Sequence, residues 1–262
     1  MQNNRNRTWI GALCLFVLAC PPAVRADDGG KPEEPKAATL AQPLKAKDSV
    51  QYRNTLTMSA GGADILVEQN HKFTVKEVKE NGDIVMVMSD LGGKFTINGS
   101  DMDIPPGSTT TVVQTKNGRI ITYTPEMEDN PYLSTPTLHL LSMVDHIVFP
   151  DHPVKPGESW KSEVDNPAVK GKKVSIKTTF VGPDKSEGTA VWKIKQTVEA
   201  ETEDAGNKLT AETTALLDMT TGQLIQAEHE VKNIPGKMGP IDWKSKLQRI
   251  KPDAAKPEKA DK

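Results

Sequence analysis

The stretch KVSIKTTF, residues 173–180, alternates apolar and polar residues with a period of two. Because successive side chains of a β-strand point to opposite faces, this pattern predicts a strand with one buried and one solvent-facing side. The same alternation recurs over residues 192–199 and 241–247. Half-buried strands are typical of antiparallel sheets, whereas strands of parallel sheets are apolar on both faces. The sequence therefore predicts a mainly β protein with antiparallel strands.

Asparagine–glycine pairs mark the turns between such strands. Asn117-Gly118 lies between the β-rich runs TVVQTK and RIITYT, and Asn81-Gly82 stands just before the apolar run IVMVM. Both residue types tolerate the positive φ angles of two-residue hairpin turns. Each pair predicts a hairpin, so neighbouring strands follow one another along the chain.

One segment departs from the β pattern and predicts an amphipathic helix over residues 134–149. Thr135 is expected to cap it, and Pro136 suits the first helical position. This helix would connect a first β-half, 44–133, with a second, 150–250. Its apolar residues recur at the helical spacing i, i+3, i+4 and i+7, namely Leu140, Met143, Val144 and Ile147.

The two β-halves share three landmarks in the same order, which predicts an internal duplication. Each landmark is a short pattern found once in each half, and the pairs are 44–50 with 154–160, 81–86 with 187–192, and 117–121 with 221–225. A unit of about a hundred residues exceeds solenoid periods. We therefore predict a duplicated antiparallel β-meander that forms one curved sheet or open barrel.

Residues 1–26 have the features of a signal peptide: two basic residues, a short apolar core and small residues before Asp27. Cleavage there would release an exported chain that begins at Asp27, in the periplasm or outside the cell. The alternative is a lipobox ending at Cys20, which would anchor the protein to a bacterial membrane by an acylated cysteine. Residues 27–43 and 251–262 are rich in Pro, Ala and charge, which predicts a disordered linker and tail.

Charge and cysteine content exclude several classes of protein. The formal net charge is −2, and removal of Arg5, Arg7 and Arg25 with the leader makes it −5, unlike a basic nucleic-acid binder. Both cysteines, Cys14 and Cys20, lie in the leader, so the mature chain would lack disulfides and thiolate sites. No apolar run after residue 20 is long enough to span a membrane. No cofactor-binding motif is found.

Two motifs carry a resemblance to known proteins: FPDHPVKPGESW, residues 149–160, and DMTTGQL, residues 218–224. They are similar to motifs of a broad group of uncharacterised bacterial secreted proteins and lipoproteins, in which the Pro-Gly-acid-Ser-Trp sequence opens a second β-half. More distantly, a curved antiparallel sheet with a helix resembles the lipoprotein-carrier fold of the bacterial envelope. That likeness implies an apolar cavity for acyl chains.

The candidate ligand-binding residues are methionines and helix residues. Methionine is flexible and polarisable and suits an adaptable apolar pocket. If the sheet encloses such a pocket, we expect its lining to include Met86, Met88, Leu140 and Met143.

Catalytic and metal sites are not predicted. The pairs Asp145-His146 and Asp151-His152 lack a third ligand at a spacing that zinc favours. Ser159 precedes a strand rather than the helix that a nucleophile elbow requires. The sequence thus favours a non-enzymatic binding or structural module of the bacterial envelope, with an apolar ligand or another envelope protein as partner. The alternatives are a carrier of a lipid or other apolar ligand, and a hydrolase with an unrecognised carboxylate or histidine site.

Overall fold

The structure is a computed structural model, and it describes residues 37–60, 63–126, 133–203, 206–236 and 239–251. The predicted signal peptide with Cys20, the first part of the linker and residues 252–262 lie outside these ranges. Within them the chain forms twelve β-strands and one α-helix. Their bounds are β1 Ser49–Ala60, β2 Ala63–Val78, β3 Ile84–Ile97, β4 Ser100–Ile104, β5 Thr109–Gln114, β6 Ile120–Pro125, α1 Thr135–Asp145, β7 Ser159–Asp165, β8 Lys173–Ser186, β9 Thr189–Glu201, β10 Lys208–Asp218, β11 Leu224–Gly236 and β12 Gly239–Arg249.

All twelve strands belong to one antiparallel sheet, which does not close on itself. The strand order is β6-β5-β3-β2-β1-β12-β11-β10-β9-β8-β7, and β4 pairs with the second half of β3. Each half of the chain is therefore a meander, and the two meanders meet where β1 pairs with β12. The predicted fold class, a mainly β antiparallel sheet with one helix between its halves, is confirmed.

The helix lies on the concave face of the sheet. It connects β6 with β7, which form opposite edges, and it packs against β6 as well as against β9, β10 and β11. Those strands are far apart in the strand order. They reach the same short helix because the sheet curls round it.

The second meander supplies more of the core than the first. In β8 the residues at every second position, Val174, Ile176, Thr178 and Phe180, are at most 2% exposed. The same alternation continues in β9 and β10, where Ile194, Val198 and Leu209 are buried. The period of two seen in the sequence thus corresponds to one face packed under the helix and one face in water.

The helix is shorter than predicted and has a different cap. Its N-cap is Ser134, whose hydroxyl accepts a hydrogen bond from the backbone N–H of Thr137, so Thr135 is already the first helical residue. The helix ends at Asp145, with His146 in an extended conformation. The residues that follow, 147–149, do not continue the helix, because Val148 N–H donates to the side chain of Gln196 and Phe149 N–H donates to the carbonyl of Asn117.

The last part of the predicted linker is packed against the body. Ala38 forms a two-hydrogen-bond bridge with Val154, and Leu40 is only 3% exposed. These two apolar residues bury their side chains in the core formed by Phe180 and Ile194. The folded part of the chain therefore starts before the predicted boundary at residue 44.

The landmarks of the predicted duplication occupy equivalent steps of the two meanders. The first pair precedes β1 and β7, the second lies in the β2–β3 and β8–β9 turns, and the third in the β5–β6 and β10–β11 turns. The duplication itself stays a prediction.

Candidate functional site

A cleft of about 290 Å³ lies between α1 and the concave face of the first meander. Its floor comes from alternate residues of three neighbouring strands, which the pleat places on one side of the sheet. Val50 is paired with Phe73, Phe73 with Met88, and Val75 with Met86. The floor is apolar and consists of Val50, Tyr52, Phe73, Val75, Met86 and Met88.

The helix forms the opposite wall. Leu138, Leu141 and Asp145 line the cleft and stand at i, i+3 and i+7, on one face of the helix. Trp243 and Leu247 of β12 complete the apolar lining at the junction of the two meanders. The cleft is therefore enclosed by both halves of the chain, although its floor belongs to the first.

The structure separates the four residues expected to line a pocket into two pairs. Met86 and Met88 line the cleft from β3. Leu140 and Met143 are 0% and 4% exposed and belong to the core between the helix and the second meander. They lie on the opposite side of the helix from Leu138 and Leu141, which were not among the predicted lining residues.

The end of the helix is fixed by a buried glutamine. Gln196 on β9 is 1% exposed; its Nε2 donates to the carbonyl of His146 over 2.9 Å, and its Oε1 accepts from the backbone N–H of Val148 over 3.1 Å. The hydroxyl of Thr178 also donates to Oε1. The Trp160 indole N–H donates to the carbonyl of Val148. These bonds hold the chain after the helix against the sheet. They thereby help to fix the distance between the helix and the floor of the cleft.

The opposite side of the same segment is held by a turn. Phe149 N–H donates to the carbonyl of Asn117, and Gly118 sits against the carbonyl of Ile147. The predicted Asn117-Gly118 hairpin is thus hydrogen-bonded to the chain just beyond the helix and packs closely against it. Turn and helix together determine how far the two walls of the cleft stand apart.

A polar cluster borders the apolar floor at an irregularity in the pairing of β2 with β3. His71 Nδ1–H donates to Asp90 Oδ1 over 2.7 Å, and Ser108 donates to the other carboxylate oxygen. Burial acts to raise the pKa of Asp90, but these two hydrogen bonds, together with the electrostatic effect of His71, outweigh it and hold the pKa below its ordinary value. His71 lines the cleft next to the aromatic ring of Tyr52, its partner on β1.

Tyr52 shapes the floor beside this cluster. Its ring stands edge-on to Phe73 with 5.6 Å between the ring centroids, and its hydroxyl donates to the carbonyl of Leu224 over 3.1 Å. Burial raises the pKa of Tyr52. The side chain is therefore a neutral, fixed part of the cleft floor.

Comparisons with known proteins find similarity of structure only. No protein-family model matches the chain, and no curated protein matches its sequence. A crystal structure of the hypothetical lipoprotein YmcC from Escherichia coli K12 is similar, with 14% identity, a TM-score of 0.31, and coverage of 80% of this chain and 86% of that one. A protein from Bacteroides fragilis, described as exported and as having a YmcC-like fold, shares 12% identity with a TM-score of 0.36 and coverage of 82% and 100%. Neither description names a ligand or an activity.

The histidines of the two acid–histidine pairs noted in the sequence bond to groups other than the neighbouring aspartate. His146 Nδ1–H donates to the carbonyl of Ser142, and His152 Nε2 lies 3.2 Å from Glu158 Oε1. In the described part of the chain, no group of three or more His, Cys, Asp or Glu is placed to hold a metal ion. The described helix is also too short to cross a membrane.

Two histidines of the cleft could have been found from the sequence. His71 and His229 stand at positions of β2 and β11 where the alternation places buried residues, next to Phe73 and Val75 in one strand and between Ala227 and Val231 in the other. A polar side chain at a buried position needs a partner or a ligand. This signal is contained within each strand, and it identifies residues on the buried face of the sheet.

Acid pH is expected to destabilise the fold, because burial lowers the pKa of three histidines, His139, His146 and His229. In the unfolded chain each takes up a proton near its ordinary pKa of 6.5. Below that pH the unfolded state binds more protons than the folded state, so the free energy of unfolding falls until the lowered pKa values are reached. Urea unfolding at pH 7.5 and 5.5 should show a loss of about 1 kcal/mol or more. Constant or rising stability toward pH 5.5 would show that burial does not lower the pKa of these histidines. The substitution His229→Gln should reduce the loss of stability.

Proposed function

We propose that this protein is a non-enzymatic binding protein of the bacterial envelope, and that the cleft holds a small ligand with an apolar part. The observation that carries the proposal is the unfilled space of about 290 Å³ between apolar side chains of α1 and of the sheet. Protein interiors are normally packed without voids of this size. Pockets for small molecules begin at about 300 Å³ and are mostly apolar with a few polar groups.

The arrangement of the polar cluster supports binding rather than catalysis. A hydrolytic nucleophile needs a hydrogen bond to its general base, which a third group then orients. Here the carboxylate of Asp90 lies in the middle and accepts from both Ser108 and His71. The serine hydroxyl is therefore engaged by a carboxylate rather than by the imidazole that would have to activate it.

Filling the cleft should abolish binding, and two methionines of β3 and β4 provide a matched test. Met88 lines the floor, whereas Met102 is 51% exposed and does not line the cleft. The probe is N-phenyl-1-naphthylamine, whose fluorescence rises in apolar surroundings. We expect saturable binding to the unaltered chain, at least a tenfold loss of affinity in Met88→Trp, and a change within about twofold in Met102→Trp.

Equal loss of affinity in both variants, or none in Met88→Trp, would show that the probe binds elsewhere. Absence of saturable binding to the unaltered chain would count against the proposed function itself. Circular dichroism and urea unfolding of both variants establish that the fold is retained.

Export is tested on the N-terminus of the mature protein. Cleavage as proposed leaves Asp27 as the first residue, whereas lipidation leaves an acylated Cys20. Intact-mass analysis of the protein from cell fractions is expected to give the mass of residues 27–262. A mass that includes Cys20 with acyl chains would replace this proposal with the membrane-anchored alternative.

A further inference from the structure

The cleft contains a buried histidine nitrogen that no group of the described chain satisfies. His229 on β11 lines the cleft with a side chain 2% exposed, and its Nε2 has no hydrogen-bond partner among the described residues. Among the described residues two other buried side-chain atoms share this property, but their residues, Asn70 and His139, do not line the cleft. An unsatisfied buried polar atom is unfavourable. A ligand that supplied its partner would gain affinity at this point.

The neighbours of His229 determine what its Nε2 can do. The hydroxyl of Thr213 lies 3.0 Å from His229 Nδ1 and 3.4 Å from the carbonyl of Val144. The carbonyl can only accept, so the single hydroxyl proton of Thr213 is assigned to it, and the Thr213 oxygen accepts from Nδ1–H. With the proton on Nδ1, the neutral ring presents Nε2 as a bare acceptor.

A second acceptor stands beside the first. Asp145 Oδ1 lies 3.8 Å from His229 Nε2, and Asp145 also lines the cleft. Ser245 on the neighbouring strand β12 also lines the cleft. It is paired with His229 on one side and with Leu56 of β1 on the other. His229 Nε2 and the Asp145 carboxylate thus offer two neighbouring acceptors to a donor group, and the carboxylate disfavours an anionic ligand group beside it.

We propose that the ligand is a single-chain amphiphile whose head group donates a hydrogen bond, a hydroxyl or an amine, to Nε2 of His229, while its alkyl chain lies on the floor formed by Phe73, Met86 and Met88. The proposal rests on the proposed function of the cleft and specifies its ligand class. The hydrogen bond would satisfy a buried acceptor, and the alkyl chain would cover apolar side chains that otherwise border empty space.

The test compares probes of one chain length that differ in the head group. 1-Decanol and decylamine donate hydrogen bonds, decyl methyl ether only accepts, and decanoate is an anion. Displacement of N-phenyl-1-naphthylamine gives the affinities. We expect at least one donor probe to bind about tenfold more tightly than the ether, and decanoate to bind more weakly than that donor.

Two histidine variants test whether the preference for donor probes depends on Nε2 of His229. His229→Leu should bring donor and ether to within about twofold of each other. His139→Gln is the matched control, because it alters another buried histidine with an unpaired Nε2 that does not line the cleft. This variant should keep the preference.

A histidine ¹⁵N spectrum of the unaltered protein adds a measurement that requires no variant. It should show His229 protonated on Nδ1 and should show its Nε2 resonance shifted by 1-decanol. The opposite tautomer, equal affinity for donors and ether, or a preference that survives His229→Leu would each overturn the proposal. If all four decyl probes bind equally well, only the head-group proposal fails, because the cleft still binds apolar ligands. If neither the decyl probes nor the naphthylamine bind, the proposed function fails as well.

Discussion

Gly118→Ala should destabilise the fold by about 3–5 kcal/mol. Gly118 has a φ of +88°, and a Cβ there would lie 2.2 Å from the carbonyl oxygen of Ile147. The left-handed backbone alone disfavours alanine, and the contact would push the segment after the helix away from the β5–β6 turn. Urea unfolding followed by circular dichroism measures the change.

Gly99→Ala is the matched control for this prediction. Gly99 has a similar φ of +82° in the β3–β4 turn, but nothing lies within 4 Å of the position of its Cβ. We expect a loss of only about 1–2 kcal/mol, which corresponds to the backbone effect alone. Equal losses in the two variants would mean that Gly118 makes no close contact with the segment after the helix.

Gln196→Leu should also destabilise the protein by about 3–5 kcal/mol. The substitution keeps the volume but removes the partners of three buried groups: the carbonyl of His146, the N–H of Val148 and the hydroxyl of Thr178. Each buried group left without a partner costs about 1–3 kcal/mol. Because these bonds fix the end of the helix, we also expect weaker binding of the naphthylamine probe.

Gln114 provides the comparison for Gln196. It is 2% exposed, yet its side chain makes no hydrogen bond to another described residue. Gln114→Leu should therefore change the free energy of unfolding by less than about 1 kcal/mol. A large loss in this variant and a small one in Gln196→Leu would contradict the network described above.

Features encoded by neighbouring residues were predictable from the sequence. The alternation of residues 173–180 corresponds to β8, and Asn81-Gly82 and Asn117-Gly118 lie in the β2–β3 and β5–β6 hairpin connections. Each connection has five residues and only the glycine of each pair has a positive φ, so the predicted two-residue turns are not formed there. A third pair, Asn98-Gly99, has the same signature and forms the β3–β4 turn with positive φ at both residues. It was available from the sequence in the same way as the other two pairs.

The side of the helix that faces the cleft could not be predicted. Leu138, Leu140, Leu141 and Met143 are all apolar, so the helix has apolar residues on two faces and its periodicity cannot rank them. The choice depends on how far the sheet curls, because β9–β11 of the second meander and β6 of the first both pack against the helix. That curvature results from pairings such as β1 with β12, which join residues about 190 positions apart.

The most direct test of the central claim, that the cleft under the helix is the ligand site, is an NMR titration of the protein labelled with ¹³C at its methionine methyl groups. The assigned methyl resonances of Met86 and Met88 should shift on addition of 1-decanol, with transferred contacts from the alkyl chain, because both side chains line the cleft. The resonance of Met102, exposed on β4, should stay in place. Shifts confined to Met102, or unchanged Met86 and Met88 resonances at saturating ligand, would contradict the account.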